Sequence, residues 1–139
     1  MGSPSTPRAS LHVLIVDDNE DATETLSILL EMRNCTTARA HSGEEAIAAF
    51  LSDEPDLVLL DLGLPDIDGY AVASRMRSES ERPMLVALTG SADDETAAAV
   101  RRTGFAYHLV KPVDLVALDG ILKRAASART TASAPDTIA

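Results

Sequence analysis

Apolar positions along this chain follow two spacings that take turns. Unbroken runs such as Val13-Leu14-Ile15-Val16, Leu57-Val58-Leu59-Leu60 and Leu85-Val86-Ala87-Leu88 alternate with stretches in which apolar residues recur every three or four positions. An unbroken run bounded by turn residues predicts a strand buried on both faces, as inside a parallel sheet. The wider spacing predicts a helix with one apolar stripe.

Taken in order, residues 11–16 read as the first strand, ended by Asp17-Asp18-Asn19-Glu20-Asp21. Carboxylates there also suit a helix start, where they take free N–H groups and oppose the dipole. Ala22, Leu26, Leu29 and Leu30 give the first helix its stripe. Residues 34–40, small and β-branched, read as a weaker strand. Ser42-Gly43-Glu44-Glu45 has capping-box spacing, and Ala46, Ile47, Phe50 and Leu51 are the expected buried face of the second helix. Pro55 breaks the chain before the strand over 57–61, and a Gly/Pro/Asp-rich turn leads to a third helix over about 70–78, with Val72 and Met76 on one side.

Beyond Pro83, residues 84–88 read as a strand ended by Thr89-Gly90-Ser91. Ser91 to Asp94 is expected to cap a fourth helix that runs through Arg102 and stops at Gly104. Residues 105–110 make the last strand. A final helix from about Val113 carries Leu115, Leu118, Ile121 and Leu122 inward and is expected to end near Ala126. The polar segments 1–10 and 127–139 read as a disordered leader and tail around one folded domain, 11–126. Five strands alternating with five helices through short connections predict an α/β fold of three layers, with helices on both faces of a parallel sheet.

A chain of 139 residues suits one domain, and 45% hydrophobic with 24% charged residues is ordinary globular usage. The net charge of −10 disfavours direct nucleic-acid binding, which wants clustered Lys and Arg. With the single Cys35, no long apolar span and no secretory segment, the expectation is a cytoplasmic protein without membrane contact.

Four of the five predicted strands end in a polar group directly after an apolar run: Asp17 and Asp18, then Asp61, Thr89 and Lys111. In a parallel sheet these ends share one edge, where open α/β sheets bind their ligands. Three carboxylates in one cleft repel unless a cation shares the site, and a hard divalent ion, Mg²⁺, suits oxygen ligands and leaves room for phosphate. An Asp carboxylate can attack phosphorus. Metal and ammonium charge on the transferring oxygens is most of what phosphoryl transfer needs. Asp61 is therefore the candidate phosphate acceptor, with Lys111 as the ammonium and the Thr89 hydroxyl as a hydrogen-bond donor to phosphate.

The segments Val16-Asp17-Asp18-Asn19, Leu60-Asp61-Leu62-Gly63-Leu64-Pro65-Asp66-Ile67-Asp68-Gly69, Ala87-Leu88-Thr89-Gly90 and Leu109-Val110-Lys111-Pro112 together resemble the receiver domain of two-component response regulators. The resemblance covers about residues 10–126 and is nearest in phrasing to receivers of hybrid sensor histidine kinases. It implies a flavodoxin-like five-stranded fold and Mg²⁺-dependent transfer of phosphate to Asp61 from a histidine kinase or histidine phosphotransfer protein. It also implies metal ligation by Asp18, Asp61 and the backbone carbonyl of Gly63, with Asp17 acting largely through water. Thr89 and Lys111 match the phosphate-sensing positions, and Lys111-Pro112 matches the family's usual cis peptide. The fourth helix, fifth strand and fifth helix would form the face that a downstream protein partner reads.

One position departs from the pattern. Where the family often carries Tyr or Phe as a switch, three residues before the lysine, this chain has His108, with Tyr107 beside it. Strand alternation puts those two side chains on opposite faces, so Tyr107 is not a simple substitute. An imidazole there is expected to give a smaller switch with a mild response to pH. Two other readings stand beside a signalling switch. A phosphohydrolase that forms an aspartyl phosphate would want a general acid two residues beyond the nucleophile, where Gly63 has none. The other is a receiver-like interaction module that is never phosphorylated.

Overall fold

Each unbroken apolar run becomes a strand of one parallel sheet in the computed structural model, which describes residues 10–91 and 93–133, with side chains as far as Ala128. The strands are β1 (His12–Val16), β2 (Thr36–Ala40), β3 (Leu57–Asp61), β4 (Met84–Thr89) and β5 (Tyr107–Val110). They are joined by α1 (Glu20–Glu31), α2 (Gly43–Asp53), α3 (Gly69–Glu79), α4 (Asp94–Thr103) and α5 (Leu115–Ser133). The spatial order is β2-β1-β3-β4-β5, with every pairing parallel. The order therefore reverses between β1 and β3, and the chain opens a crevice at that point. Register pairs Val16 with Leu60, Asp61 with Leu88 and Thr89 with Val110, so these strand tips stand level on one edge.

Alternation along the strands divides the interior into two cores. Val13, Ile15, Leu57, Leu59, Val86, Leu88 and Leu109 meet Leu26 and Leu30 of α1 and Leu118 and Ile121 of α5. Leu14, Val16, Val58, Leu60, Leu85 and Ala87 meet Phe50 of α2, Val72 and Met76 of α3 and Val100 of α4. β3 is buried along its whole length, Asp61 included. Arg33, just beyond the end of α1, pairs with Asp119 of α5 at 2.5 Å and ties that helix end to α5.

The helix ends follow from local chemistry. Asn19 caps α1, Ser42 caps α2 and Asp93 caps α4, each accepting amide N–H groups of the first turn. Gly104 closes α4 at φ +98°, a left-handed position that favours glycine.

Three expectations need correction. Leu51 is 47% exposed, because the inward line of α2 is Gly43, Ala46 and Phe50, and the next residue lies about 100° further round the helix. Leu115 is 39% exposed, since it sits in the first turn of α5 beyond the line Leu118, Ile121, Ala125 that meets the sheet. α5 runs on to Ser133 instead of ending near Ala126. Loss of apolar periodicity marks where burial stops, whereas Ala and Arg in 127–133 still favour helix. The remainder of the expected disordered ends, 1–9 and 134–139, lies outside the described residues.

Leu59→Ala should expose how much the sheet depends on β3. The side chain is fully buried, and its truncation is expected to cost about 2–5 kcal/mol. In urea denaturation this appears as a lower midpoint with an unchanged slope.

Candidate functional site

β1 and β3 end side by side at the crevice, and each hands it an acid. Asp17 follows β1 and is 1% exposed; Asp61 ends β3 and is 8% exposed. Both share the parity of the strand residues that face α1 and α5, so they point to the same side of the sheet. Lys111, two residues beyond Leu109 after β5, has that parity too. Its Nζ donates to Asp17 Oδ2 at 2.8 Å and to Asp61 Oδ2 at 3.2 Å. Asp18 is exposed at the rim, yet one carboxylate oxygen from each of Asp17, Asp18 and Asp61 lies within 4.8 Å of the other two.

The electrostatics of this cluster are unbalanced. Three carboxylates face one ammonium, which neutralises part of their charge. Burial alone would lower the pKa of Lys111, but its hydrogen bonds to Asp17 and Asp61 outweigh that and hold it above the usual lysine value. The sign follows from linkage: the stability this pair contributes is complete below the ordinary lysine range and is lost only as pH rises through the raised value. The remaining negative charge, carried on hard oxygen donors, fits a hard divalent cation.

Local hydrogen bonds fix how the acids present themselves. Asp17 Oδ1 accepts from Asn19 N at 3.0 Å, which turns the chain into α1. Asp61 Oδ1 accepts from Gly63 N at 2.9 Å, which folds the chain back over β3 and brings Gly63 beside the carboxylate. Two residues after Lys111-Pro112, whose peptide is cis, Asp114 Oδ1 accepts from Val116 N at the start of α5. The residue after Asp68 must be Gly69, because a Cβ there would lie 2.6 Å from Leu62 Cα.

Thr89 has the opposite parity and belongs to the face covered by α2, α3 and α4. Its hydroxyl donates to Ser91 O at 2.8 Å. A hydroxyl has one proton, so the 2.5 Å contact between Thr89 Oγ1 and His108 Nε2 requires the imidazole to donate. Tyr107 points the other way, among residues of the α1/α5 core, with Arg124 Nη1 donating to its hydroxyl at 3.0 Å. The expected opposition of Tyr107 and His108 is thus the observed geometry. Asp17, Asp18, Asp61 and Lys111 come together, Gly63 is bonded through its amide to Asp61, and Thr89 with His108 forms a neighbouring pair on the far side of the β4 tip.

Sequence reasoning missed Asp66. Its carboxylate accepts from the amides of Gly43 at 2.8 Å and Glu44 at 3.2 Å, at the start of α2. The Gly43 amide, more than any other group, holds this carboxyl below the usual carboxylate range. No local motif signals a cap delivered from so far along the chain.

Such a fold with such a strand-tip cluster defines a class, and comparison with known proteins gives it a name. The family model described as the response regulator receiver domain matches residues 13–123, and this chain belongs to that family. It is 34% identical over 113 residues to the regulatory protein AtoC of Escherichia coli (strain K12), covering 81% of this chain and 24% of that protein. It is also 34% identical over 125 residues to the sensor histidine kinase AtsR of Burkholderia thailandensis, covering 88% of this chain and 21% of the relative. The chain thus spans about a quarter or less of these two proteins. A two-component response regulator from Clostridium difficile superposes with a TM-score of 0.83 at 25% identity, over 88% of this chain and all of the other. Chemotaxis protein CheY4 of Vibrio cholerae gives 0.78 at 25% identity, over 84% and 99%.

The chain is therefore a response regulator receiver domain. Receiver domains accept phosphate from histidine kinases and generally bind Mg²⁺ through clustered acids. Among the described residues no helix is long and apolar enough to cross a membrane.

Lys111→Met should show what the ammonium does for the fold. It leaves Asp17 and Asp61 facing each other without a cation. The expected loss is about 2 kcal/mol, below the 3–5 kcal/mol of a fully buried pair because solvent reaches the lysine. Thermal denaturation near pH 7 measures it, and added MgCl₂ should recover part of the loss.

Proposed function

We propose that Asp61 is the phosphoacceptor, that Lys111 and Thr89 serve the transferred group, and that Asp17, Asp18, Asp61 and the Gly63 carbonyl hold Mg²⁺. The observation that carries this reading is the position of Lys111 Nζ, within hydrogen-bond reach of both Asp17 and Asp61. A partner histidine kinase or histidine phosphotransfer protein would present a phosphohistidine at the crevice. An Asp61 carboxylate oxygen attacks phosphorus; a P–O bond forms, the P–N bond breaks, and the imidazole leaves with the electron pair and takes a proton from solvent. Lys111 sits where charge grows on the phosphoryl oxygens and needs no reorganisation to meet it. Asp18, Asp61 and the Gly63 carbonyl, with Asp17 through water, would hold Mg²⁺, which would supply further positive charge there. Gly63 offers no group to catalyse hydrolysis, which favours a signalling role over a phosphohydrolase.

The switch then runs through Thr89. Its hydroxyl gives up the Ser91 carbonyl for a phosphate oxygen, and His108, bonded to the same oxygen, moves with it. The face of α4, β5 and α5 is repacked for a protein partner, a two-state element biased by one covalent charge. We assign no direct nucleic-acid contact, place the domain at 11–126 with α5 continuing past it, and locate the protein in the cytoplasm.

Incubation with MgCl₂ and acetyl phosphate should add one phosphoryl group to the wild-type chain, read by intact mass, and none to Asp61→Asn. Chelation with EDTA should slow the reaction about 100-fold, the several kcal/mol that a metal contributes. Uptake by Asp61→Asn at the wild-type level would overturn the assignment.

A further inference from the structure

We propose that Asp66 is a positioning residue for the acceptor site: by gripping the N-terminus of α2, it fixes the loop that carries Gly63 beside Asp61. This rests on the reading of that site as a metal-dependent phosphoacceptor. Asp66 touches none of the reacting groups and acts through the backbone between itself and Gly63.

A helix start leaves amide N–H groups without partners, and the usual remedy is local. α2 has that remedy in Ser42, whose Oγ accepts from Glu45 N at 3.1 Å. The amides of Gly43 and Glu44 are taken instead by Asp66, from a different loop, one to each carboxylate oxygen. Ile67 adds a steric contact beside them. A Cβ on Gly43 would come within 2.9 Å of Ile67 Cβ, so glycine lets the two backbones approach. The contact joins two segments, so it constrains the loop after β3 as much as it completes α2.

That loop has little slack. Gly63 N is held by Asp61 Oδ1, Leu64 is buried in the core under α2 and α3, and Asp68 Oδ1 accepts from Tyr70 N at the start of α3. Pro65 stiffens the short step from Leu64 to Asp66. On the other side, α2 is anchored to the opposite wall of the crevice. Asp17 N donates to Ala40 O at 3.1 Å, and His41 N donates to Glu45 Oε1 at 2.8 Å. A closed circuit of contacts thus runs from Asp17 through Ala40 and the start of α2 to Asp66, then along the loop to Gly63 and Asp61. Asp66 closes it. Supporting contacts one step removed from metal ligands typically change metal affinity by about 10–100-fold when lost.

The test compares Asp66→Ala, Asp66→Asn and Ser42→Ala. Ser42→Ala removes a cap from the same helix and leaves the loop contact alone, so it reports a purely structural role. Asp66→Asn is neutral like alanine but retains an oxygen that can accept from Gly43, so it separates the contact from the charge. Mg²⁺ binding by isothermal titration calorimetry, without phosphodonor, should weaken about tenfold in Asp66→Ala. It should stay within about threefold of wild type in Asp66→Asn and Ser42→Ala. In metal-free protein, amide hydrogen exchange at Gly63 and Leu64 should accelerate about tenfold in Asp66→Ala and stay unchanged in Ser42→Ala.

If Asp66→Ala matches Ser42→Ala in both measurements, Asp66 is only a cap and the proposal falls. If Asp66→Asn is as weak as Asp66→Ala, long-range charge explains the effect and the proposal also falls. A wild-type chain that binds no Mg²⁺ would overturn the phosphoacceptor reading, and the exchange data would still decide whether Asp66 holds the loop.

Discussion

One ammonium shared by two buried carboxylates holds the working end of this domain together. Lys111 Nζ reaches Asp17 from the tip of β1 and Asp61 from the tip of β3, although Lys111 itself follows β5 at the far edge of the sheet. The three residues lie far apart in sequence and meet because parallel strands finish on the same edge. The cost of burying Asp17 and Asp61 is offset by this pairing and by backbone amides from Asn19 and Gly63. It is not offset completely, because Asp18 adds a third carboxylate to the cluster. A site left with surplus negative charge on hard oxygens is one that a divalent cation relieves. The same imbalance that costs the fold some stability would favour a bound cation.

The sheet also separates two tasks by strand parity. Asp17, Asp61 and Lys111 point toward α1 and α5, while Thr89 and His108 belong to the side of α2, α3 and α4. Asp61 is therefore one strand and one face away from Thr89. The Thr89 hydroxyl has a single proton, now given to Ser91 O, and it receives the His108 proton at the same oxygen. It cannot turn toward a new acceptor and keep the Ser91 bond. Two hydrogen-bonding arrangements exclude each other, which is what a two-state element requires.

The sequence displayed the chemistry more fully than the geometry. An apolar run ending in a charged or hydroxyl residue is a local pattern, and four such endings were enough to place Asp17, Asp61, Thr89 and Lys111 on one edge before any coordinate was known. Strand parity, also local, separated Tyr107 from His108. Helix length was less legible. The apolar stripe of α5 ends near Ala126 because burial ends there, while propensity carries the helix to Ser133. Leu51 and Leu115 are exposed for a related reason: hydrophobicity alone does not fix which apolar positions turn inward when the helix is short or the position lies in its first turn.

Asp66 marks the sharper limit. Its neighbours Pro65 and Asp68 announce a turn and a cap, and in isolation Asp66 reads as one more loop acid. Its partners are the amides of Gly43 and Glu44, whose own sequence already contains a complete capping signal in Ser42 and Glu45. Neither segment lacks anything locally, so neither points to the other. The contact arises only because β1 stands between β2 and β3 in the sheet, which brings the loops after β2 and β3 together across the tip of β1. Topology thus supplies α2 with a second cap, delivered from the loop after β3. The strand ends carry the clustered acids, and long-range contacts of this kind join the loops around them.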